Sequence, residues 1–173
     1  MTSAGAAPRV TGLCHVGMFA QDPVALAEFY QSILGLHVVG GSAQGPFGAT
    51  AFLSGCPAQE SHHLALFANP AFRHAAFKVR TLADLRAIHQ RVVGAGVPIK
   101  MAFNHGTSLA FYFEDPERNL IEVYWPTGIA YPQPYGHPID LTLPEEVLSQ
   151  DVEDLAQRAH APRNDALTPQ PGR

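Results

Sequence analysis

The chain is poor in cysteine, with only Cys14 and Cys56 among 173 residues. Two cysteines make no disulfide framework, so the expected compartment is the reducing cytoplasm. Charge is sparse as well. Asp, Glu, Lys and Arg make up 15% of the residues, and the formal net charge is −4. A mildly acidic chain offers no electrostatic footprint for nucleic acid or an anionic membrane. No apolar run approaches the roughly 18 residues of a membrane-spanning helix. The opening MTSAGAAPRV lacks the apolar core of a signal peptide. What is present is a globular composition, 46% hydrophobic and long enough to bury a core. Histidine is the exception to this plainness, at nine residues.

Residues 1–10 read as a flexible leader. Leu13–Phe19 is a strand candidate, followed by Asp22 as a helix N-cap with Pro23 at the first helical position. Leu26, Phe29, Tyr30 and Ile33 fall at helical spacing, and Gly35 stops that helix. Leu36–Val39 and Ala49–Leu53 are short strands around a Gly-rich turn. A fourth strand, His62–Phe67, is closed by Asn69-Pro70.

The order then repeats. His74–Val79 is a strand, Thr81 with Asp84 resembles a capping box, and Leu82, Leu85, Ile88, Val92 and Val93 form a helical stripe ended by Gly94 and Gly96. Three strands follow, Ile99–Phe103, Ser108–Phe113 and Leu120–Tyr124. His15 to Asp22 is seven residues, and so is His74 to Thr81. The pattern predicts an α+β fold of two tandem βαβββ modules, about 12–69 and 72–125, within a domain spanning 11–125. Paired units that cannot close a core alone must pack together. Two curved four-stranded halves facing each other would enclose a cleft.

From Pro126 onward the composition changes to a Pro-, Gly- and Tyr-rich stretch, PTGIAYPQPYGHPIDLTLP. It reads as an extended surface arm, followed by a short helix over 144–158 and a disordered tail of about a dozen residues.

Glu122 lies in the middle of an apolar strand, on the face shared by Leu120 and Tyr124. On a solvated face it needs no explanation. If buried, it needs a cation or several donors. His15 and His74 occupy equivalent first strands of the two modules, and together the three residues make a two-His-one-carboxylate set. Either histidine alone reads as a satisfied core residue; the repeat-matched trio reads as a metal site. Three protein ligands leave positions open on an octahedral ion such as Fe(II). Cys14, next to His15, is expected on the opposite strand face. His37 and His89 read as surface residues, and His137 as part of the arm.

On these residues the chain resembles the vicinal oxygen chelate superfamily and, within it, the type I extradiol ring-cleavage dioxygenases. The resemblance covers roughly residues 12–125. Strands like LCHVGMF, RHAAFKV and NLIEVYW carry the family's ligands, which maps metal binding to His15, His74 and Glu122. The ring-cleavage signature reads here as His105, Tyr112, Asp115-Pro116 and Glu122. Arg118 departs from a usual glycine, and Phe103 from a smaller residue two before the signature histidine.

The resemblance implies Fe(II) as cofactor, with Mn(II) as an alternative, and a small aromatic diol plus O2 as substrates. It implies acid–base work for His105, a substrate hydrogen bond from Tyr112, and a donor to dioxygen from His62. Strict alternation would instead turn His63 towards the site, so both histidines are candidates. Ala65 stands near where glyoxalase relatives place a fourth ligand, and alanine cannot ligate. A metal-dependent lyase or thiol transferase, or a small-molecule-binding resistance protein, is the alternative within the superfamily. The chain matches only the catalytic half of longer dioxygenases, which implies a homo-oligomer.

Overall fold

The computed structural model describes residues 7–45 and 48–160. The first six residues of the expected leader, and the expected tail, lie outside the described residues. Strand β1 (Gly12–Phe19) leads into helix α1 (Pro23–Leu34), then β2 (His37–Ser42), β3 (Thr50–Ser54) and β4 (Leu64–Phe67). The second module repeats this as β5 (His74–Lys78), α2 (Leu82–Gly94), β6 (Ile99–Asn104), β7 (Ser108–Glu114) and β8 (Leu120–Pro126). A two-residue strand β9 (His137–Pro138) and helix α3 (Glu145–His160) follow.

Both module helices start and stop for local reasons. The Asp22 carboxylate accepts from the backbone N–H groups of Val24 and Ala25, and Gly35 ends α1 in the left-handed conformation at φ 67°. Thr81 Oγ1 accepts from the Asp84 N–H and its hydroxyl donates to the Asp84 carboxylate, so the carboxylate is turned to the Thr81 side chain and only half of the capping box forms.

The strands form one sheet in the order β2-β3-β4-β1-β5-β8-β7-β6-β9. The halves are therefore not separate sheets. Each module closes by a parallel pairing, β1 with β4 and β5 with β8, and antiparallel pairing of β1 with β5 makes the sheet continuous. One face packs on the helices. Behind the second half, Leu85, Leu109, Phe111, Val123, Leu141 and Val152 are among the residues that join α2, α3 and the strands in one apolar core. A smaller core of Ala27, Ala51, Leu53 and Leu66 lies beneath α1. The opposite face carries the site.

Several expectations change. The buried stripe of α1 runs through Pro23 and Ala27, while Phe29 and Ile33 are exposed. Leu26 and Tyr30 still pack partly against the core, as the helical spacing predicts. His89 is not a surface residue: it is buried on α2, edge-on to the Phe111 ring at 5.1 Å. The arm is not confined to the surface. It adds β9 to the edge strand β6 and buries Leu141, while α3 beyond it buries Leu148, Val152 and Leu155 along one side, as their spacing predicts. Among the described residues, no helix is long and apolar enough to cross a membrane.

Candidate metal centre and its cavity

Register brings the three candidate ligands together. His15 on β1 pairs with Ala76 on β5, and Ala76 pairs with Glu122 on β8. His74, two residues before Ala76, pairs with Gly17 on β1. Both positions beside the ligands therefore carry little or no side chain. A Cβ at Gly17 would come within 2.5 Å of His74 Nδ1 and 2.8 Å of the Phe72 carbonyl. Tyr112 on β7 lies directly across from Glu122 and extends the same rung.

His15 Nε2, His74 Nε2 and Glu122 Oε2 stand 3.1 Å from one another. The His74 Nδ1–H donates to the Phe72 carbonyl at 2.7 Å, which directs its Nε2 lone pair into the centre. Two imidazole nitrogens and one carboxylate oxygen at this spacing form a donor set that a single divalent ion can bridge. Among the described residues this is the one cluster of His, Cys, Asp and Glu able to hold a metal ion.

Electrostatics follow from burial. Burial alone would raise the Glu122 carboxyl, but the charges and hydrogen bonds of His15 and His74 outweigh it and hold the group well below the usual carboxylate range. Burial works against a charged His74 too, yet Glu122 beside it raises the imidazole above its ordinary value. A divalent cation would take the place of the protons the imidazoles share with Glu122, since metal ligands bind deprotonated.

His62 faces this centre, its ring 4.2 Å from that of His15. Burial, then the neighbouring His15, push its imidazole well below the ordinary value, so it is neutral at pH 7. His63 does not face the centre. Its Nδ1 accepts from the Gly55 N–H at 3.2 Å, with Ser54 Oγ equally near. Strand alternation does not reach His62 and His63, because β4 begins at Leu64 and the pair belongs to the preceding loop. Cys14 also departs from alternation. A bulge in the β1–β5 pairing between Leu13 and His15 sets it beside Tyr124, whose ring lies against His15.

On the far wall, the His105 Nδ1–H donates to the Tyr135 carbonyl at 2.7 Å. That bond fixes the tautomer, leaving Nε2 free to accept from the Tyr112 hydroxyl at 3.1 Å. Burial and the nearby Glu122 charge push the Tyr112 hydroxyl well above its ordinary pKa, so it stays protonated. Asp115 plays a different part. Its carboxylate accepts from the Glu117 and Asn119 N–H groups and the Asn119 amide, building the turn before β8, with Arg118 left-handed at φ 66°.

These side chains open into a cavity of about 100 Å³ walled by Phe52, Phe67, Phe72, Phe103 and Ala65. The arm closes part of it with Gln133, Pro134 and Tyr135. His137 stays outside, 3.3 Å from Asp151. Tyr124, set on the face of Glu122 by strand alternation, also lines the cavity, and Tyr135 joins it although nothing local in the sequence marks it.

The chain matches the family model of the Glyoxalase/Bleomycin resistance protein/Dioxygenase superfamily over residues 12–123. It belongs to that superfamily. The paired βαβββ sheet is accordingly a vicinal oxygen chelate fold. Relatives within the superfamily differ in chemistry. The chain is 28% identical over 123 residues to biphenyl-2,3-diol 1,2-dioxygenase 3 of Rhodococcus globerulus, covering 64% of this chain and 61% of that protein. Among solved structures, a catechol 2,3-dioxygenase superposes with a TM-score of 0.55 at 26% identity, over 75% of this chain and 45% of the other. The Mn(II)-bound glyoxalase of Novosphingobium aromaticivorans superposes at 0.56 and 26%, over 68% and 39%. The chain thus spans under two thirds of the curated relative and under half of these structures.

Proposed function

We propose that this superfamily member is an extradiol ring-cleaving dioxygenase that acts on a small catechol with O2, using Fe(II) or, alternatively, Mn(II). The observation that carries the reading is the pairing of an open three-ligand set with two protonic groups on opposite sides. His62 lies over His15, and the His105–Tyr112 pair lies beyond Glu122. His15, His74 and Glu122 would hold the ion. When bound, it supplies Lewis acidity to a diol hydroxyl and the redox capacity that O2 chemistry requires.

The chain's own residues do the rest. His105, with Nδ1–H tied to the Tyr135 carbonyl, takes the diol proton at Nε2. Tyr112 hydrogen-bonds a diol oxygen and so orients the ring. Ser61 Oγ lies 3.2 Å from His62 Nδ1; a bond donated there leaves the proton on Nε2 of a ring that lines the cavity. The phenylalanine walls hold an aromatic ring and exclude water. Two free cysteines suit a reducing cytoplasm. A homo-oligomer would cover the apolar side chains that α1 and β2 leave exposed, Phe29, Ile33 and Val38 among them.

The test is anaerobic loading with Fe(II) or Mn(II), then a catechol panel in air on an oxygen electrode. A yellow semialdehyde with one O2 consumed per ring supports the reading. Bound metal without O2 uptake on any catechol favours the lyase or transferase reading, for which the Mn(II)-bound glyoxalase neighbour is the specific precedent.

A further inference from the structure

We infer that Glu60 is a positioning residue for His62, clamping the β3–β4 loop to the two strands that carry His74 and Glu122. The inference rests on the role proposed above for His62. His62 precedes β4, so its position depends on how the loop over 55–62 is held. On its C-terminal side the chain is fixed by the ladder: the His63 N–H donates to the Leu53 carbonyl, and the His63 carbonyl accepts from the Val16 N–H. On its N-terminal side the anchor is Glu60.

All four polar atoms of Glu60 are engaged. Its N–H donates to the Cys56 carbonyl at 3.1 Å, and its carbonyl accepts from the hydroxyl of the buried Ser54 at 3.0 Å. Its carboxylate accepts from the Tyr124 hydroxyl through Oε1 at 3.1 Å and from Lys78 Nζ through Oε2 at 2.8 Å. Lys78 lies on β5, the strand of His74, and pairs with Tyr124 on β8, two residues beyond Glu122. Tyr124 is buried and its ring lies 5.4 Å from that of His15. The clamp therefore references the loop to the same strands that set the metal triad. The ion pair is partly screened from solvent, with 27% of the Lys78 and 14% of the Glu60 side chain accessible. Loop and ligands then hold one geometry, and His62 stays over His15.

Glu60→Ala, Glu60→Gln and the double variant Glu60→Ala/His62→Ala test this in the full chain. In Zn(II)-loaded protein, a diamagnetic stand-in, Glu60→Ala should raise amide exchange over 55–62 and shift or broaden the His62 ring resonances, with zinc affinity within about twofold of wild type. Turnover of the Fe(II) enzyme on its best catechol should fall about 10-fold or more, but Glu60→Ala should cost little further in the His62→Ala background. Glu60→Gln keeps an acceptor for Tyr124 and should recover part of both losses. Unchanged His62 resonances and loop exchange in Glu60→Ala would overturn the clamp. An equal fold-loss in both backgrounds would overturn its action through His62. If no catechol is turned over, the dioxygenase reading fails, while the ring resonances and amide exchange still decide the clamp.

Discussion

Gly17 pairs with His74 across the β1–β5 junction, and the absent side chain is where the His74 ring packs. The strand partner of one ligand thus lies two residues after another ligand, His15. Sequence spacing on β1 controls ligand geometry on β5.

Gly17→Ala should therefore injure the centre without replacing a ligand. The added methyl meets both the imidazole and the Phe72 carbonyl that orients it, so the ring must turn or its 2.7 Å bond must break. Misdirecting a supporting bond typically weakens metal binding about 10- to 100-fold. Competitive Fe(II) or Zn(II) titration should show that loss with an unchanged circular dichroism spectrum. Wild-type affinity would mean the centre tolerates a displaced His74.

Glu122→Gln keeps size but removes the charge that the two histidines surround. Metal content by mass spectrometry should fall to about a tenth or less of wild type at equal loading. Full occupancy in this variant would refute the assignment of Glu122 as a ligand.

His105→Phe and Tyr112→Phe alter the far wall only. Metal content should stay near wild type while kcat falls by about 10²- to 10⁴-fold for the histidine variant, as for loss of a general base. Tyr112→Phe should lose less, because His105 Nε2 remains free to take the proton. Undiminished turnover in His105→Phe would remove it from the chemistry.

His89 gives a prediction about pH and stability, away from the centre. Burial lowers its pKa below the ordinary 6.5, with the Asp140 charge opposing more weakly. A folded value below the unfolded one means the unfolded chain takes up the proton first. Stability is therefore intact above about pH 6.5 and falls as pH drops towards the folded pKa. His89 Nδ1 is buried with no hydrogen-bond partner among the described residues. His89→Leu should match or exceed wild-type stability at pH 8 and lose less of it at pH 5.5, as read by urea melts. A steeper acid loss in the variant would contradict the burial argument.

Much of this was legible in the sequence because it depends on local rules. The Asp22-Pro23 start, the Gly35 stop and the repeat of module spacing all gave the paired architecture. The trio His15, His74 and Glu122 followed from matched strand positions. What was hidden depends on irregular backbone. The bulge at Cys14 breaks alternation on β1, and the late start of β4 takes His62 and His63 out of strand register. The entry of the arm into the core, and the Tyr135 carbonyl on His105, come from contacts thirty residues apart. No periodicity announces them. His89 looked exposed because histidine is commonly a surface residue, yet it lies on the same helical face as Leu85 and Ile88.

The most direct test of the central claim is turnover of a catechol by the Fe(II)-loaded chain under ¹⁸O2, with the product analysed by mass spectrometry. Cleavage beside the diol should give a ring-opened semialdehyde with both labelled atoms incorporated before exchange. Release of a quinone without label, or recovery of intact catechol beside fully loaded metal, would contradict the account.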